Sequence, residues 1–313
     1  MRRALLIAPF VFAVGLTACG GTDDSSTEEK TPPPDENSLT FTTGEFEVPA
    51  GDSFTCFYTD QYTDRELAVY DAEGYQGPGG HHIVVYWTDD TRDAGYHPCL
   101  DSEMTTWHQI AGGSEKSAKA GEGVVALDDG LAIKVPAGKR LVMQAHYINT
   151  TGKPETVTDS VKLRLLDPAL VKAYVNYFVT LDLGFKLPPA TKTTSTTTCT
   201  TNRDFDMVTV LGHMHELGRH YKLETIDESG QTLDIIRDDE WLAEYSSHPP
   251  VGRYSMAEPY HLAKGTKLRQ TCTWDNTTME TATFPREMCL AFFYYFPGTE
   301  DLICPMAKEE PTQ

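Results

Sequence analysis

Short apolar runs, rich in β-branched and aromatic residues, recur along the whole body of the chain. They are Phe41–Val48, His82–Trp87, Leu141–Ile148, Val161–Leu166, Tyr174–Leu181, Met207–Leu211, Tyr221–Ile226, Lys267–Trp274 and Met288–Phe296. Turn-forming clusters separate them, among them Gly77-Pro78-Gly79-Gly80, Pro136-Ala137-Gly138 and Glu228-Ser229-Gly230. No long helical periodicity competes with this pattern. Runs of this length and punctuation predict an all-β protein of sandwich type. The Thr/Lys-rich stretch Ala190–Thr201 interrupts the middle and is expected to be a surface loop. No internal repeat stands out. At 313 residues the chain is long enough for two domains, each with its own core. The best boundary lies near Asp167-Pro168, which gives bodies at 41–168 and 169–308.

Composition narrows the partners. Hydrophobic residues make up 40% and charged residues 23%, a globular balance. The formal charge of −20 argues against nucleic acid, because phosphate binding needs clustered Lys and Arg.

The first residues read as an address. Met1-Arg2-Arg3 is basic, Ala4–Leu16 is apolar, and the run is too short for a comfortable membrane span. Leu16-Thr17-Ala18-Cys19 has the form of a bacterial lipobox. Residues 1–18 are then a lipoprotein signal peptide, and Cys19 is lipidated and becomes the mature first residue. Gly20, rather than Asp, leans towards the outer membrane, with the body facing the periplasm or the cell surface. Residues 19–40 are polar, acidic and proline-bearing, and are expected to form a disordered tether. The sequons at Asn149 and Asn276 are incidental in a protein of that kind.

Without Cys19, six cysteines remain: Cys56, Cys99, Cys199, Cys272, Cys289 and Cys304. An even count in an exported chain implies disulfides, but six cysteines allow fifteen pairings and arithmetic selects none.

The chemistry gathers in histidines. His81-His82 follows two glycines. Strand neighbours point to opposite faces, so both reach one metal only where the strand starts irregularly, as glycine permits. On Leu141–Tyr147, alternation sets Val142, Gln144 and His146 on one face. His213 and His215 are an i, i+2 pair, a natural two-ligand clip on a strand. Three histidines suit zinc or copper equally. His215-Glu216-Leu217-Gly218-Arg219-His220 imitates the zinc-protease HExxH, but the second His comes one residue too late to share a helical face. Met288, taken alone, reads as a core residue on an aromatic strand. His97, His108, His220, His248 and His261 read as surface or structural, with His97 and His108 near the loops of the first site. Trp87, Trp107, Trp241 and Trp274 read as core or loop aromatics.

Taken in order, His-His, Leu-Val-Met-Gln-Ala-His-Tyr, His-Met-His-Glu-Leu-Gly and Glu-Met-Cys resemble the copper type II, ascorbate-dependent monooxygenases, the family of peptidylglycine α-hydroxylating monooxygenase and dopamine β-monooxygenase. The resemblance runs over residues 45–306. It implies two tandem antiparallel jelly-roll β-sandwich domains with a copper on each, facing across a cleft. His81, His82 and His146 would form the electron-transfer site, with Gln144 near it. His213, His215 and Met288 would form the oxygen-activating, catalytic site. The disulfides would be Cys56–Cys99, Cys199–Cys304 and Cys272–Cys289. The reaction implied is hydroxylation of an aliphatic C–H bond of a small molecule by O2, with ascorbate or another one-electron donor reducing two coppers.

The sequence departs from the peptide-amidating members. Leu211 stands where they carry an Arg that holds the substrate carboxylate, and Leu290 and Phe292 replace an Asn and a Tyr after the Met-Cys pair. A more apolar substrate fits that lining. The alternatives are a non-catalytic copper-binding or copper-handling surface lipoprotein, and a structural or adhesive β-sandwich with incidental histidines.

Overall fold

The computed structural model describes residues 37–99, 106–113, 126–127, 130–246, 248–284, 286–305 and 307–308. The signal peptide and lipidation expected at Cys19, and the tether up to residue 36, lie outside the described residues. No helix among the described residues is long and apolar enough to cross a membrane.

The described chain is all-β. In order the strands are β1 (Ser38–Thr42), β2 (Phe46–Val48), β3 (Gly51–Tyr62), β4 (Leu67–Tyr75), β5 (Gly80–Thr88), β6 (Gly95–Pro98), β7 (His108–Gly113), β8 (Leu131–Val135), β9 (Arg140–Asn149), β10 (Glu155–Val157) and β11 (Ser160–Leu165). A 3-10 turn, Pro168–Leu170, follows, and a second, Ala243–Ser246, comes later in the chain. Then come β12 (Ala173–Leu181), β13 (Thr191–Thr200), β14 (Phe205–His213), β15 (Gly218–Ile226), β16 (Thr232–Glu240), β17 (Val251–Arg253), β18 (Tyr260–Leu262), β19 (Lys267–Asn276), β20 (Leu290–Phe296), β21 (Leu302–Pro305) and β22 (Ala307–Lys308).

One large sheet runs β1-β11-β4-β8-β12-β20-β14-β17. Two five-stranded sheets, β6-β3-β9-β5-β7 and β22-β13-β19-β15-β16, accompany it. Each pairs with its own stretch of the large sheet around a core. Ile83, Val85, Leu141, Met143 and Ala145 meet Val69, Ile133, Val161 and Leu163 in the first core. Tyr221, Leu223, Leu268 and Trp274 meet Met207, Val210, Ala291 and Phe293 in the second. The large sheet does not stop between them. β8 pairs in parallel with β12 (Ala132 opposite Tyr174), and Val175, Val208 and Tyr294 of the C-terminal half enter the N-terminal core.

Strand alternation is cleanest on β19, where Leu268, Gln270, Cys272, Trp274 and Asn276 are buried and the residues between them are half-buried. β9 is buried on both faces. Leu141, Met143, Ala145 and Tyr147 fill the core, while Val142 joins Cys56, Tyr58 and Trp107 on the other side.

The stretch Ala190–Thr201 is not a loop. It is β13, paired along ten positions with β19. Threonine is polar but β-branched, and its backbone preference and cross-strand contacts favour the pleat. Outward hydroxyls pair between strands, Thr194 with Thr273 (3.0 Å) and Thr196 with Thr271 (3.2 Å), while Thr197 is buried.

The chain also repeats itself in space. Four strands of each five-stranded sheet, β3-β9-β5-β7 and β13-β19-β15-β16, follow the same order, and so do β1-β11-β4-β8 and β12-β20-β14-β17. Gly80 faces Tyr147 and His82 faces His146 across an irregular step, and Gly218 faces Trp274 and His220 faces Thr273 across the same step. The two sequon asparagines end matching strands. Asn149 Nδ2 donates to the carbonyls of Val48, Pro49 and Lys153 at 3.3, 3.1 and 2.8 Å. Asn276 Nδ2 donates to those of Leu187, Pro188 and Glu280 at 2.9, 3.0 and 2.8 Å. In each, Oδ1 accepts from the amide and the hydroxyl of the Thr two residues on. The threonine that makes each a sequon belongs to a surface turn anchored on the buried asparagine.

Candidate metal centres

The structure brings His81, His82 and His146 together. β5 and β9 pair Gly80 with Tyr147 and His82 with His146, so His81 is the extra residue of a β-bulge. A bulge turns two successive side chains towards one side, which a regular strand forbids. The glycines make room for it. Gly79 sits at φ +81°, and a Cβ on Gly80 would lie 2.3 Å from the Gln76 side chain. Nδ1 of His81 lies 3.2 Å from Nδ1 of His82 and 3.1 Å from Nδ1 of His146. All three ligand atoms fall within 4.8 Å of one another.

His146 is aimed from behind. Its Nε2 lies 2.7 Å from Asp52 Oδ1, and its ring stacks on Phe54 with centroids 4.0 Å apart. An Nε2–H that donates to the carboxylate leaves Nδ1 as the free lone pair, the usual arrangement behind a metal-ligating imidazole. Burial holds His82 well below its ordinary pKa, and holds His81 and His146 below theirs less severely; neighbouring imidazoles add to this. Neutral imidazoles with convergent lone pairs fit a metal cation, and this donor set suits copper. Replacing the exposed Asp52 by Asn is expected to spare the fold and weaken Cu(I) binding at this cluster about tenfold in chelator competition. Unchanged affinity would show that Asp52 does not set the tautomer.

Gln144 lies two residues from His146 on the same face, buried, and accepts from Tyr86 OH at 3.4 Å. His97 and His108 lie apart from the trio. His97 Nε2 meets the Asp93 carbonyl at 2.8 Å, and His108 stacks on Trp87 and meets Asp301 at 2.7 Å.

In the C-terminal half, His213 ends β14 and His215 follows in the turn to β15, with ring centroids 5.1 Å apart. Met214 between them is buried in the core. Burial, then the neighbouring His215, pushes His213 down to about 3. His215 Nδ1 meets the Arg286 carbonyl at 2.9 Å, which leaves Nε2 to carry the lone pair. β14 and β20 pair His213 with Leu290, and Met288 precedes Leu290 by two residues in the chain. Cys289 is locked by its disulfide to Cys272 and by the 2.9 Å bond from Gln270 Nε2 to its carbonyl. The other disulfides join Cys56 to Cys99 and Cys199 to Cys304, so all three pairs are those implied by the resemblance. The two histidine groups feel each other electrostatically: His215 lowers His81, His82 and His146, and His81 lowers His213.

Residues 175–312 match the family described as copper type II ascorbate-dependent monooxygenase, C-terminal domain. That match covers the C-terminal part of the chain, 138 of its 313 residues. The match contains His213, His215 and Met288, while His81, His82 and His146 precede it. No curated protein matches the chain. Among solved structures, PNGase F, a glycosylasparaginase from Flavobacterium meningosepticum, is 10% identical with a TM-score of 0.39, over 88% of this chain and 100% of that one. The CUB1-EGF-CUB2 domains of rat MASP-1 are 8% identical with a TM-score of 0.15, over 83% of this chain and 97% of that one. Likenesses this distant carry no statement about activity.

Asp52, Phe54 and Glu287 were not singled out by sequence. The first two reach His146 only through the β3–β9 register, which no local pattern reveals. Glu287 offered one signal, an acid placed directly before an apolar strand, and the structure buries it.

Proposed function

We propose that this chain is a copper-dependent monooxygenase that hydroxylates an aliphatic C–H of a small, apolar organic molecule. The balance is R–H + O2 + 2 e⁻ + 2 H⁺ → R–OH + H2O, with the electrons from ascorbate or another one-electron donor. The observation that carries the reading is the convergence of the His81, His82 and His146 Nδ1 atoms in a chain whose C-terminal half matches the monooxygenase family. Two jelly-roll halves would each hold one copper, His81, His82 and His146 one and His213, His215 and Met288 the other. Bound copper would supply one-electron cycling between Cu(II) and Cu(I) and activation of dioxygen.

The residues have separable tasks. Burial keeps the imidazoles neutral and ready to ligate. The Met288 thioether is soft and favours the reduced ion. Leu211 pairs with Phe292, and His213 with Leu290, so three apolar side chains share the sheet face of His213. That surface offers no charge to a substrate carboxylate, which favours an apolar substrate over a glycine-extended peptide. We also propose lipid anchorage through Cys19 at the outer membrane.

Copper stoichiometry tests this reading. Two coppers per chain are expected, with Met288→Ile weakening Cu(I) binding at one site and abolishing oxygen consumption coupled to product. One copper or none on folded protein, indifferent to Met288→Ile, would sink it.

A further inference from the structure

We propose that Glu287 is the positioning residue of the His213–His215–Met288 donor set, tying the turn that carries His215 to the segment that carries Met288. This rests on the copper reading above. Glu287 is 1% exposed, and its carboxylate is fully used. Oε2 accepts from the His215 amide (3.1 Å) and from the Trp274 indole (3.1 Å), and Oε1 accepts from the Leu217 amide (2.8 Å). Arg286, one residue earlier, accepts from His215 Nδ1 through its carbonyl. Cys289, on the far side of Met288, is pinned by its disulfide and by carbonyl bonds from Gln270 and Asp182. Met288 is thus held between two immobile neighbours, and one of them grips the His215 backbone directly. Ligands held by such supports keep their geometry as the metal changes charge.

The N-terminal half supplies an independent argument. Asp159, also 1% exposed and placed just before β11 as Glu287 is just before β20, accepts from the Gly77 amide (3.2 Å) and from Tyr147 OH. Gly77 and His215 hold the same place: each accepts through its carbonyl from the glycine three residues on, Gly80 at 3.0 Å and Gly218 at 3.1 Å. Tyr147 and Trp274 are the cross-strand partners of those glycines. A buried carboxylate that clamps this turn is therefore part of the scaffold in both halves. In the C-terminal half alone, a histidine occupies the clamped position and a methionine adjoins the clamp.

Glutamine is the discriminating replacement. It keeps the size of Glu287 but turns one acceptor into a donor, which must face an N–H. Copper-loaded, full-length protein, reduced with ascorbate and kept in detergent, would be compared with Glu287→Gln by copper X-ray absorption and by competition with a chromophoric Cu(I) chelator. The expected result is loss of the copper–sulfur signal and at least tenfold weaker Cu(I) binding at one site, with the other site unchanged. A folded Glu287→Gln protein with its copper–sulfur signal and Cu(I) affinity intact would overturn the positioning role and leave the copper reading standing. A wild-type protein lacking the copper–sulfur signal would overturn both. Should Glu287→Gln fail to fold, Trp274→Phe, which removes one donor to the carboxylate, decides. Severalfold weaker Cu(I) binding supports the role, and wild-type affinity overturns it.

Discussion

Acidification from pH 7 to pH 4 is expected to destabilise the metal-free protein steeply, and copper is expected to oppose the loss. His81, His82, His146 and His213 all have folded pKa values depressed below 6.5, His213 to about 3. Below pH 6.5 the unfolded chain therefore binds protons that the native chain refuses, so stability falls as pH falls. The loss begins near pH 6.5 and continues until each native imidazole titrates, near 3 for His213. Each unit of depression is worth about 1.4 kcal/mol, so His213 alone, lowered from 6.5 to about 3, contributes a few kcal/mol by pH 4. Glu287 and Asp159 act the other way, because burial raises both. Above their unfolded values they hold protons that the unfolded chain has released, so they offset part of the loss on the approach to pH 4.5. Copper stabilises the neutral imidazoles and should shift the acid midpoint downward. Thermal or urea unfolding across this range, with and without copper, checks the expectation. A flat profile for the metal-free protein would contradict the buried, neutral state of the histidines.

Replacing Cys272 and Cys289 together by Ser is expected to cost about 3 kcal/mol, because the bridge closes a loop of 17 residues. Two hydroxyls would also occupy fully buried positions. In a chain of this size the loss lowers the unfolding temperature by roughly 6–12 °C. The effect on the candidate site should exceed the effect on the fold. Met288 would lose the fixed neighbour on its C-terminal side, and Cu(I) affinity at that site should fall with it. Calorimetry on the double variant gives the first number and chelator competition the second. An unchanged unfolding temperature would show that the bridge constrains little.

Much of the strand content was legible because burial writes itself as alternation. The runs at Leu141–Ile148, Tyr174–Leu181 and Lys267–Trp274 lie within β9, β12 and β19. Polar strands hid. β3 carries Asp, Ser and Thr among its apolar residues, and β13 is mostly Thr, whose β-branching matters more than its polarity. The His81–His82 irregularity could be read from Gly79-Gly80, since only a bulge lets neighbours converge. Asp52 could not, because it meets His146 through a pairing between distant strands. The spatial repeat was hidden for a related reason. Its halves share the places of Gly80 and Gly218 and of Asn149 and Asn276, but few other residues, so register rather than identity reveals it.

The parallel ladder between β8 and β12 bears on how electrons could pass between the two histidine groups. A hinge between the halves would have to break that ladder and withdraw Val175, Val208 and Tyr294 from the N-terminal core. Backbone pairing and shared apolar burial make such opening costly, so the separation between the groups is set by the fold and not by a gating motion. Turnover in a body built this way would depend on transfer across a fixed span, and its rate would respond to the donor and the substrate more than to solvent viscosity.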